Sequence, residues 1–242
     1  MEVEVEGIVL KETLYGETSK ILQVLTKEYG LIGIIAKGAS SYKSNLRALS
    51  LPFLYANFII NYKENKLSNL KGGKVVKLYG SGSKDIKVYA YISYLCELSY
   101  KVLQETNDKE IFNILKNGLD KITEGLNCNV IKNIIVFKYL SYLGISPDLN
   151  VCHKCLQKKA FYAIDGKIGG FVCKECYHNE IIIPDNFPRV LNRYNEVNIN
   201  DIKEIKLDKK TEEIVNQFLN DYYESFSGIY INSKSLIDNI NW

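Results

Sequence analysis

The sequence predicts an α+β protein of two domains: an N-terminal barrel of five strands over residues 1–80, then an all-α domain over residues 81–242. Three observations support this fold class. The hydrophobic pattern of residues 1–80 is typical of short strands, and from Asp85 onward apolar residues recur every three to four positions, as on a helix. Four cysteines then interrupt the helical part at about residues 150–178, where we expect a zinc-ribbon-like insertion.

The five predicted strands are short, apolar and separated by turn residues. They cover residues 3–10, 19–26, 30–36, 53–62 and 67–77. Turn signals lie at Gly16, at residues 28–30 and at residues 63–66. Five short strands in so little chain favour a small closed barrel, and an open sheet with one helix is the alternative.

Five helices are predicted after the strands. The first begins after Asp85, and the others cover residues 109–122, 129–143, 209–226 and 233–240. Asp108 is a suitable N-cap for the second helix, and Gly144 and Gly228 end the third and fourth. The run GSGSK at residues 80–84 predicts the linker between the two domains.

The charge distribution predicts a surface that binds phosphates. The net charge is only +3, but residues 36–84 hold nine basic side chains and one acid, Glu64. Twenty-eight of the 31 basic residues are lysine, which binds phosphate as a point charge and reads guanine poorly. The candidate DNA-binding residues are Lys37, Lys43, Arg47, Lys63, Lys66, Lys71, Lys74 and Lys77. The alternative is an ordinary solvated, lysine-rich surface.

Aromatic residues are interleaved with these cations, and unpaired bases stack on aromatic rings. They are Tyr42, Tyr55, Phe58, Tyr62 and Tyr79. Because side chains alternate between the two faces of a strand, at least half of the aromatic residues in strand 53–62 are expected in the barrel core.

The pattern Cys152-x2-Cys155 and Cys173-x2-Cys176 predicts one structural zinc ion. A predicted hairpin with an Asp-Gly turn at Asp165 separates the two pairs and would bring them together. A thioredoxin-like site has one such pair, and disulfides are unfavourable in a reducing compartment. His153 and His178 flank the pairs, but four thiolates already complete a tetrahedral shell.

The sequence predicts a protein that is not an enzyme. Catalytic zinc keeps an open position, whereas four cysteines close the site. The deaminase, zinc-protease, serine-hydrolase and P-loop motifs are all absent from the sequence. No catalytic residue is therefore assigned. The first residues contain no basic or apolar signal-peptide region, and no apolar run is long enough to cross a membrane, so we expect a cytoplasmic protein.

The chain resembles the RecO family of recombination mediators, which act in bacterial DNA repair. The matching segments are GETSKI at residues 16–21, TKEYGL at 26–31, AKGA at 36–39, LPF at 51–53 and NSKSL at 232–236. The four-cysteine insertion within a helical domain also matches. Family members often carry paired arginines after AKGA, whereas Ser40 and Ser41 stand there, so DNA binding by this loop is expected to be weaker or shifted to residues 63–77.

The resemblance implies an N-terminal OB-fold and a helical domain that carries a zinc finger. It also implies binding of single- and double-stranded DNA, annealing of complementary strands, and loading of the RecA recombinase onto strands covered by single-strand-binding protein. The implied direct partners are RecR and the acidic C-terminal tail of that binding protein, with RecA an indirect one. The implied location is the bacterial cytoplasm, in association with the nucleoid.

Two other functions remain open from the residues. An RNA-binding or transcription-associated zinc-ribbon protein would share the barrel and the metal, and would prefer RNA. A zinc-dependent hydrolase would carry a water ligand on its metal.

Overall fold

The computed structural model describes residues 1–80 and 85–240. The chain folds into two compact units. Unit 1 is Met1–Thr123 together with the described residues from Ile231 onward, and unit 2 is Glu124–Tyr230. This division does not coincide with the predicted boundary at residue 80, because the first two helices and the end of the chain belong to the unit that holds the strands. Most of the predicted linker, residues 81–84, lies outside the described residues.

Five strands of unit 1 form a closed barrel, as the strand pattern predicts. They are β1 (Glu2–Tyr15), β2 (Ser19–Thr26), β3 (Gly30–Ala36), β4 (Leu54–Asn61) and β5 (Ser68–Leu78), in the spatial order β1-β2-β3-β5-β4. All neighbours are antiparallel except β3 and β5, whose short parallel pairing of Ile34 with Ser68 closes the ring. β1 is longer than predicted because it pairs with β4 through its first half and with β2 through its second.

The barrel core follows the two-residue period of the strands. Leu22, Ile34, Phe58 and Ile60 alternate with less buried neighbours and are fully buried. Between β3 and β4 the chain forms a loop, residues 37–53, which contains a short 3-10 helix at Ala48–Ser50. Ala39 and Leu49 of this loop belong to the barrel core, which fixes the loop against the barrel.

Three helices complete unit 1: α1 (Ile86–Thr106), α2 (Ile111–Thr123) and, near the end of the chain, α6 (Lys234–Asp238). α1 packs against β1, α2 and α6. Asp85 caps α1 by accepting from the Lys87 amide, and Asp108 accepts from the Glu110 amide just before α2. The five predicted helices are confirmed, with ends that differ by a few residues.

Unit 2 contains three helices and a small sheet. The helices are α3 (Cys128–Tyr142), α4 (Phe187–Glu196) and α5 (Lys209–Phe226), and α3 packs against the other two. Residues 130–137 of α3 are all buried, so α3 is the central helix of this unit. The sheet is β6 (Phe161–Asp165), β7 (Gly170–Cys173) and β8 (Ile181–Ile182), in the order β7-β6-β8. The predicted hairpin is β6–β7, whereas α4 and β8 were not predicted.

Candidate nucleic-acid interface and metal centre

The β6–β7 hairpin brings the four cysteines of the two CxxC pairs together. Cys152 and Cys155 lie in the turn before the hairpin, Cys173 ends β7, and Cys176 ends the 3-10 turn that follows. Their four Sγ atoms lie within 4.8 Å of one another. The structure therefore confirms that these residues could hold one metal ion.

The spacing of two of the sulfurs is close to that of ligands on a tetrahedral ion. Ligands about 2.3 Å from a tetrahedral centre lie roughly 3.8 Å apart, and the Sγ atoms of Cys155 and Cys173 are 4.0 Å apart. His153 is not part of the cluster, because its Nε2 lies 2.7 Å from the backbone oxygen of Asp148. The side chain of His178 is exposed. Among the described residues, the four sulfurs alone would therefore make up the ligand set of a metal ion held here.

Backbone amides favour the thiolate form of Cys152. The Cys173 amide points at the Cys152 Sγ over 3.4 Å. Burial raises the pKa of Cys152, but hydrogen bonds from the amides of Cys173, Cys155 and Lys154 outweigh burial and lower it to about 6. A thiolate is the form that ligates a metal.

An ion pair beside the cluster connects the two CxxC turns. Lys154 lies between the first two cysteines, and its ammonium donates to the Cys176 carbonyl over 3.2 Å and to the Glu180 carboxylate. Glu180 is buried, which raises its pKa, yet the His178 amide and Lys154 together lower that pKa to about 2. These polar contacts orient the ligand turns from outside the ligand set.

On the barrel, the loop of residues 37–53 presents the first group of predicted cations. The side chains of Lys37, Lys43 and Arg47 are all exposed. The loop is held in place because the Ser40 amide donates to the Thr18 carbonyl, 2.8 Å away in the β1–β2 turn. The three cations therefore project from an anchored segment.

The second group of cations lies on the β4–β5 hairpin. Lys63 and Lys66 stand in its turn, and Lys71 and Lys74 lie on β5; all four are exposed. The turn forms one wall of a groove of about 520 Å³, whose other walls come from β2, β3 and Asn107. OB-folds bind oligonucleotides on this part of the barrel surface. The groove offers two lysines, the stacked rings of Tyr29 and Tyr62, and the amide of Gln23.

Lys77 differs from the other predicted DNA-binding cations. Its ammonium donates to Asp120 and to Thr123, both over 2.8 Å, and Lys116 and Tyr79 also donate to Asp120. Burial raises the pKa of Asp120, but these three donors outweigh it and hold the pKa below its usual range. The charge of Lys77 is thus compensated within unit 1, a contact that the sequence pattern did not indicate.

The five interleaved aromatic residues differ widely in burial. Phe58 and Tyr79 are fully buried, and Tyr55 is half-buried with its hydroxyl donating to Glu6. Tyr62 stacks on Tyr29 with a centroid distance of 4.2 Å. Tyr42 alone among the five is fully exposed.

Unit 2 contains a wide groove that the sequence pattern did not indicate. It has a volume of about 950 Å³ and is lined by residues of α3, α4 and the segment 197–207. Four basic residues line it: Arg189, Arg193, Lys203 and Lys206. The apolar residues Val130 and Ile134 also belong to the lining, together with three acids: Glu196, Asp201 and Glu204. Two of the three arginines of the chain, Arg189 and Arg193, are four residues apart, which places them on one face of a helix. This spacing is the signal in the sequence that could have indicated a basic groove.

Within residues 1–80 and 85–240, no helix combines the length and the apolar character that crossing a bilayer requires.

Comparison with known families covers nearly the whole chain. The family model described as Recombination protein O N terminal matches residues 1–79, and the one described as Recombination protein O C terminal matches residues 83–235. The chain belongs to the RecO family. RecO relatives include the DNA repair protein RecO of Bacillus pumilus, which is 32% identical, and that of Bacillus subtilis, which is 31% identical. Each alignment covers 98% of this chain and 94% of the relative.

A more distant RecO relative, from Listeria monocytogenes, is 28% identical over 96% of this chain and 92% of its own length. The N-terminal RecO match ends at the barrel, so the family division at residues 79–83 differs from the division into compact units. These relatives are named as DNA repair proteins, and the recognition of the family from its sequence segments is confirmed.

Proposed function

We propose that the protein is a non-enzymatic mediator of DNA repair and recombination. It binds single- and double-stranded DNA, anneals complementary strands and helps to load recombinase onto strands covered by single-strand-binding protein. The observation that carries this proposal is the set of seven exposed cations on the loop 37–53 and on the β4–β5 hairpin. Membership of the RecO family supports it, as do the names of the relatives. Its site of action is the bacterial cytoplasm, at the nucleoid.

The cations act by neutralising phosphates. Each contact releases condensed counterions, so affinity falls steeply as salt rises. Six of the seven exposed cations are lysines, which contact the backbone and discriminate little between bases. Two strands held on one positively charged surface repel each other less, and this lowers the barrier to pairing.

A structural role for the metal supports a non-enzymatic function. Zinc is the ion that four thiolates in a tetrahedral arrangement favour, and such a site leaves no position for substrate. Zinc bound there would tie the two CxxC turns of unit 2 together, so that its binding energy contributes to folding.

The partners of the proposed mediator are DNA, RecR, the acidic C-terminal tail of single-strand-binding protein and, indirectly, RecA. The groove of unit 2 is the candidate site for the acidic tail, because its lining combines apolar residues with four basic side chains against three acidic ones; the basic residues are Arg189, Arg193, Lys203 and Lys206. Charge reversal at Arg189 and Arg193 is expected to weaken binding of a tail peptide at least tenfold, as measured by fluorescence anisotropy. Unchanged binding would remove the groove from the proposal.

The mediator function is tested by the annealing rate of two complementary strands coated with single-strand-binding protein. The protein is expected to accelerate annealing without any nucleotide, and no acceleration with or without RecR would contradict the proposal. A competing RNA strand of the same sequence separates this function from an RNA-binding one.

The site itself is tested by removing three charges. The variant K37Q/K43Q/R47Q is expected to reduce the slope of log affinity against log salt by about 2 for single strands, since each phosphate contact contributes about 0.7. The matched control is K167Q/K209Q/K210Q, which removes three exposed lysines of unit 2. Equal slopes and affinities for the two triple variants would overturn the assignment of the loop 37–53.

A further inference from the structure

Tyr42 is the most exposed of the large hydrophobic side chains in the described part of the chain. It lies in the loop 37–53, and 90% of its surface is accessible to solvent. A tyrosine ring in this position gains almost nothing from folding, because its apolar area stays in water. Its surface is therefore available to another molecule.

The segment that carries Tyr42 is held in position by its neighbours. Ala39 is fully buried in the barrel core, and the Ser40 amide is bonded to Thr18. On the other side, Leu46 packs against the core, and the carbonyl of Arg47 accepts from the Ser50 hydroxyl over 2.9 Å. The ring thus extends from an anchored turn, so little entropy is lost when a ligand binds to it.

A cation lies over one face of the Tyr42 ring. The guanidinium carbon of Arg47 lies 4.4 Å from the ring centroid, which is a cation–π contact. With the ring 90% exposed, the opposite face is open to solvent. Lys37 and Lys43 are exposed on the same loop, and the acid Glu17 is exposed in the neighbouring β1–β2 turn.

A flat open ring beside three cations and one acid matches the chemistry of an unpaired nucleotide. A base offers a π face that stacks on the ring, while its phosphates contact the cations. In a duplex both faces of each base are stacked on neighbours, so the ring is expected to engage single strands only. We propose that Tyr42 stacks on an unpaired nucleobase and gives the protein a preference for single-stranded DNA. This inference rests on the proposed function, because it names a base-contacting residue within the same DNA-binding surface.

The first test compares Tyr42→Leu, which keeps the apolar volume, with Tyr42→Phe, which keeps the ring. Binding is measured to a single-stranded oligonucleotide and to an abasic oligomer of the same length. Tyr42→Leu is expected to weaken binding of the normal strand about 5- to 150-fold, the loss of one stacked base. The same variant is expected to leave the salt slope and the abasic affinity unchanged, and Tyr42→Phe to bind like the parent.

The matched control is Tyr230→Leu, since Tyr230 is an exposed tyrosine of unit 2. A second readout uses fluorescence. In the double variant Y42W/W242F the only tryptophan stands at position 42, because Trp242 is the single tryptophan of the sequence. Stacking is expected to quench its emission on the normal strand and not on the abasic oligomer.

The outcomes separate this inference from the proposed function. If the parent protein binds the oligonucleotide but Tyr42→Leu matches it and the emission of the double variant is not quenched, the stacking role is wrong and the proposed function stands. If the parent binds no oligonucleotide at low salt, the proposed function fails, and the stacking role fails with it.

Discussion

Glu97 of α1 provides a prediction about the stability of the C-terminal segment, residues 231–240. Its carboxylate accepts four hydrogen bonds from this segment: from the amide and side chain of Asn232 over 3.0 and 3.1 Å, and from the amide and hydroxyl of Ser233 over 2.9 and 2.6 Å. Burial raises the pKa of Glu97, but these four donors outweigh burial and lower it below the usual value. One ionised side chain thus anchors the start of this segment.

Glu97→Gln keeps the shape and removes the charge. One carboxylate oxygen becomes an amide NH2 that faces donors, so about two charge-assisted bonds are lost, at about 1.5–3 kcal/mol each. Because Glu97 is only half-buried, we expect about 2 kcal/mol less free energy for local opening of residues 231–240. Amide hydrogens there should then exchange about 30-fold faster, as measured by mass spectrometry.

The pH dependence of this effect has a definite sign. A carboxylate whose native pKa is depressed stabilises the fold above its unfolded pKa, about 4.3, and loses that contribution as the pH falls through the native pKa. The difference between the parent and Glu97→Gln should be complete above about pH 5 and should vanish in more acidic solution. The control is Glu105→Gln, an exposed glutamate of the same helix. Equal exchange in the two variants at pH 7 would refute the reasoning.

Three further predictions concern the metal, the Asp120 contacts and a close approach in unit 2. Cys152→Ser is expected to bind less zinc than the parent, measured by metal analysis, and to have a lower thermal stability of unit 2, because an ion held by the four cysteines would join two chain segments. Asp120→Asn is expected to reduce the free energy of unfolding by about 1–2 kcal/mol in urea and to increase single-strand affinity a few-fold at low salt, since it releases Lys77. Gly166→Ala is expected to destabilise the protein by about 1–3 kcal/mol in the same assay, because a Cβ there would lie 2.4 Å from the Phe218 carbonyl oxygen.

Each of these predictions has a result that would contradict it. A Cys152→Ser protein that keeps its zinc and melts like the parent would refute the ligand assignment. Unaltered DNA affinity in Asp120→Asn would mean that Lys77 does not reach phosphate even when released. For Gly166→Ala, wild-type stability would show that α5 can move away from the hairpin at little cost.

Local patterns predicted most of the fold. Strands β2 and β3 begin and end at the predicted residues, because apolar pattern and turn residues agree there. Helix α4 was missed because it is only ten residues long, although Pro188 suits a first turn and the apolar residues at positions 187, 190, 191 and 194 have helical spacing. Its stability comes from packing of Phe187, Leu191 and Tyr194, which are buried in the folded protein.

The candidate site was predictable where spacing alone brings residues together. The four cysteines are of this kind, because two CxxC turns and a hairpin leave little freedom. The state of Lys77 was not predictable, because Asp120 is distant in sequence and approaches only when α2 packs beside β5. For the same reason, the sequence could not show which of the five interleaved aromatic residues is fully exposed, and the folded structure identifies it as Tyr42.

The course of the chain through the two units has a consequence for how the protein is made. Unit 2 is inserted into unit 1: the chain leaves unit 1 after Thr123 and returns at Ile231. A ribosome must therefore synthesise the whole of unit 2 before it supplies the Asn232 and Ser233 that Glu97 binds. When the growing chain contains all of unit 2 and its cysteine cluster, unit 1 still lacks its last helix. A chain whose synthesis stops early would keep the cations of the barrel but expose the surface of α1 that residues 231–240 cover, and cellular proteases recognise such exposed apolar surface.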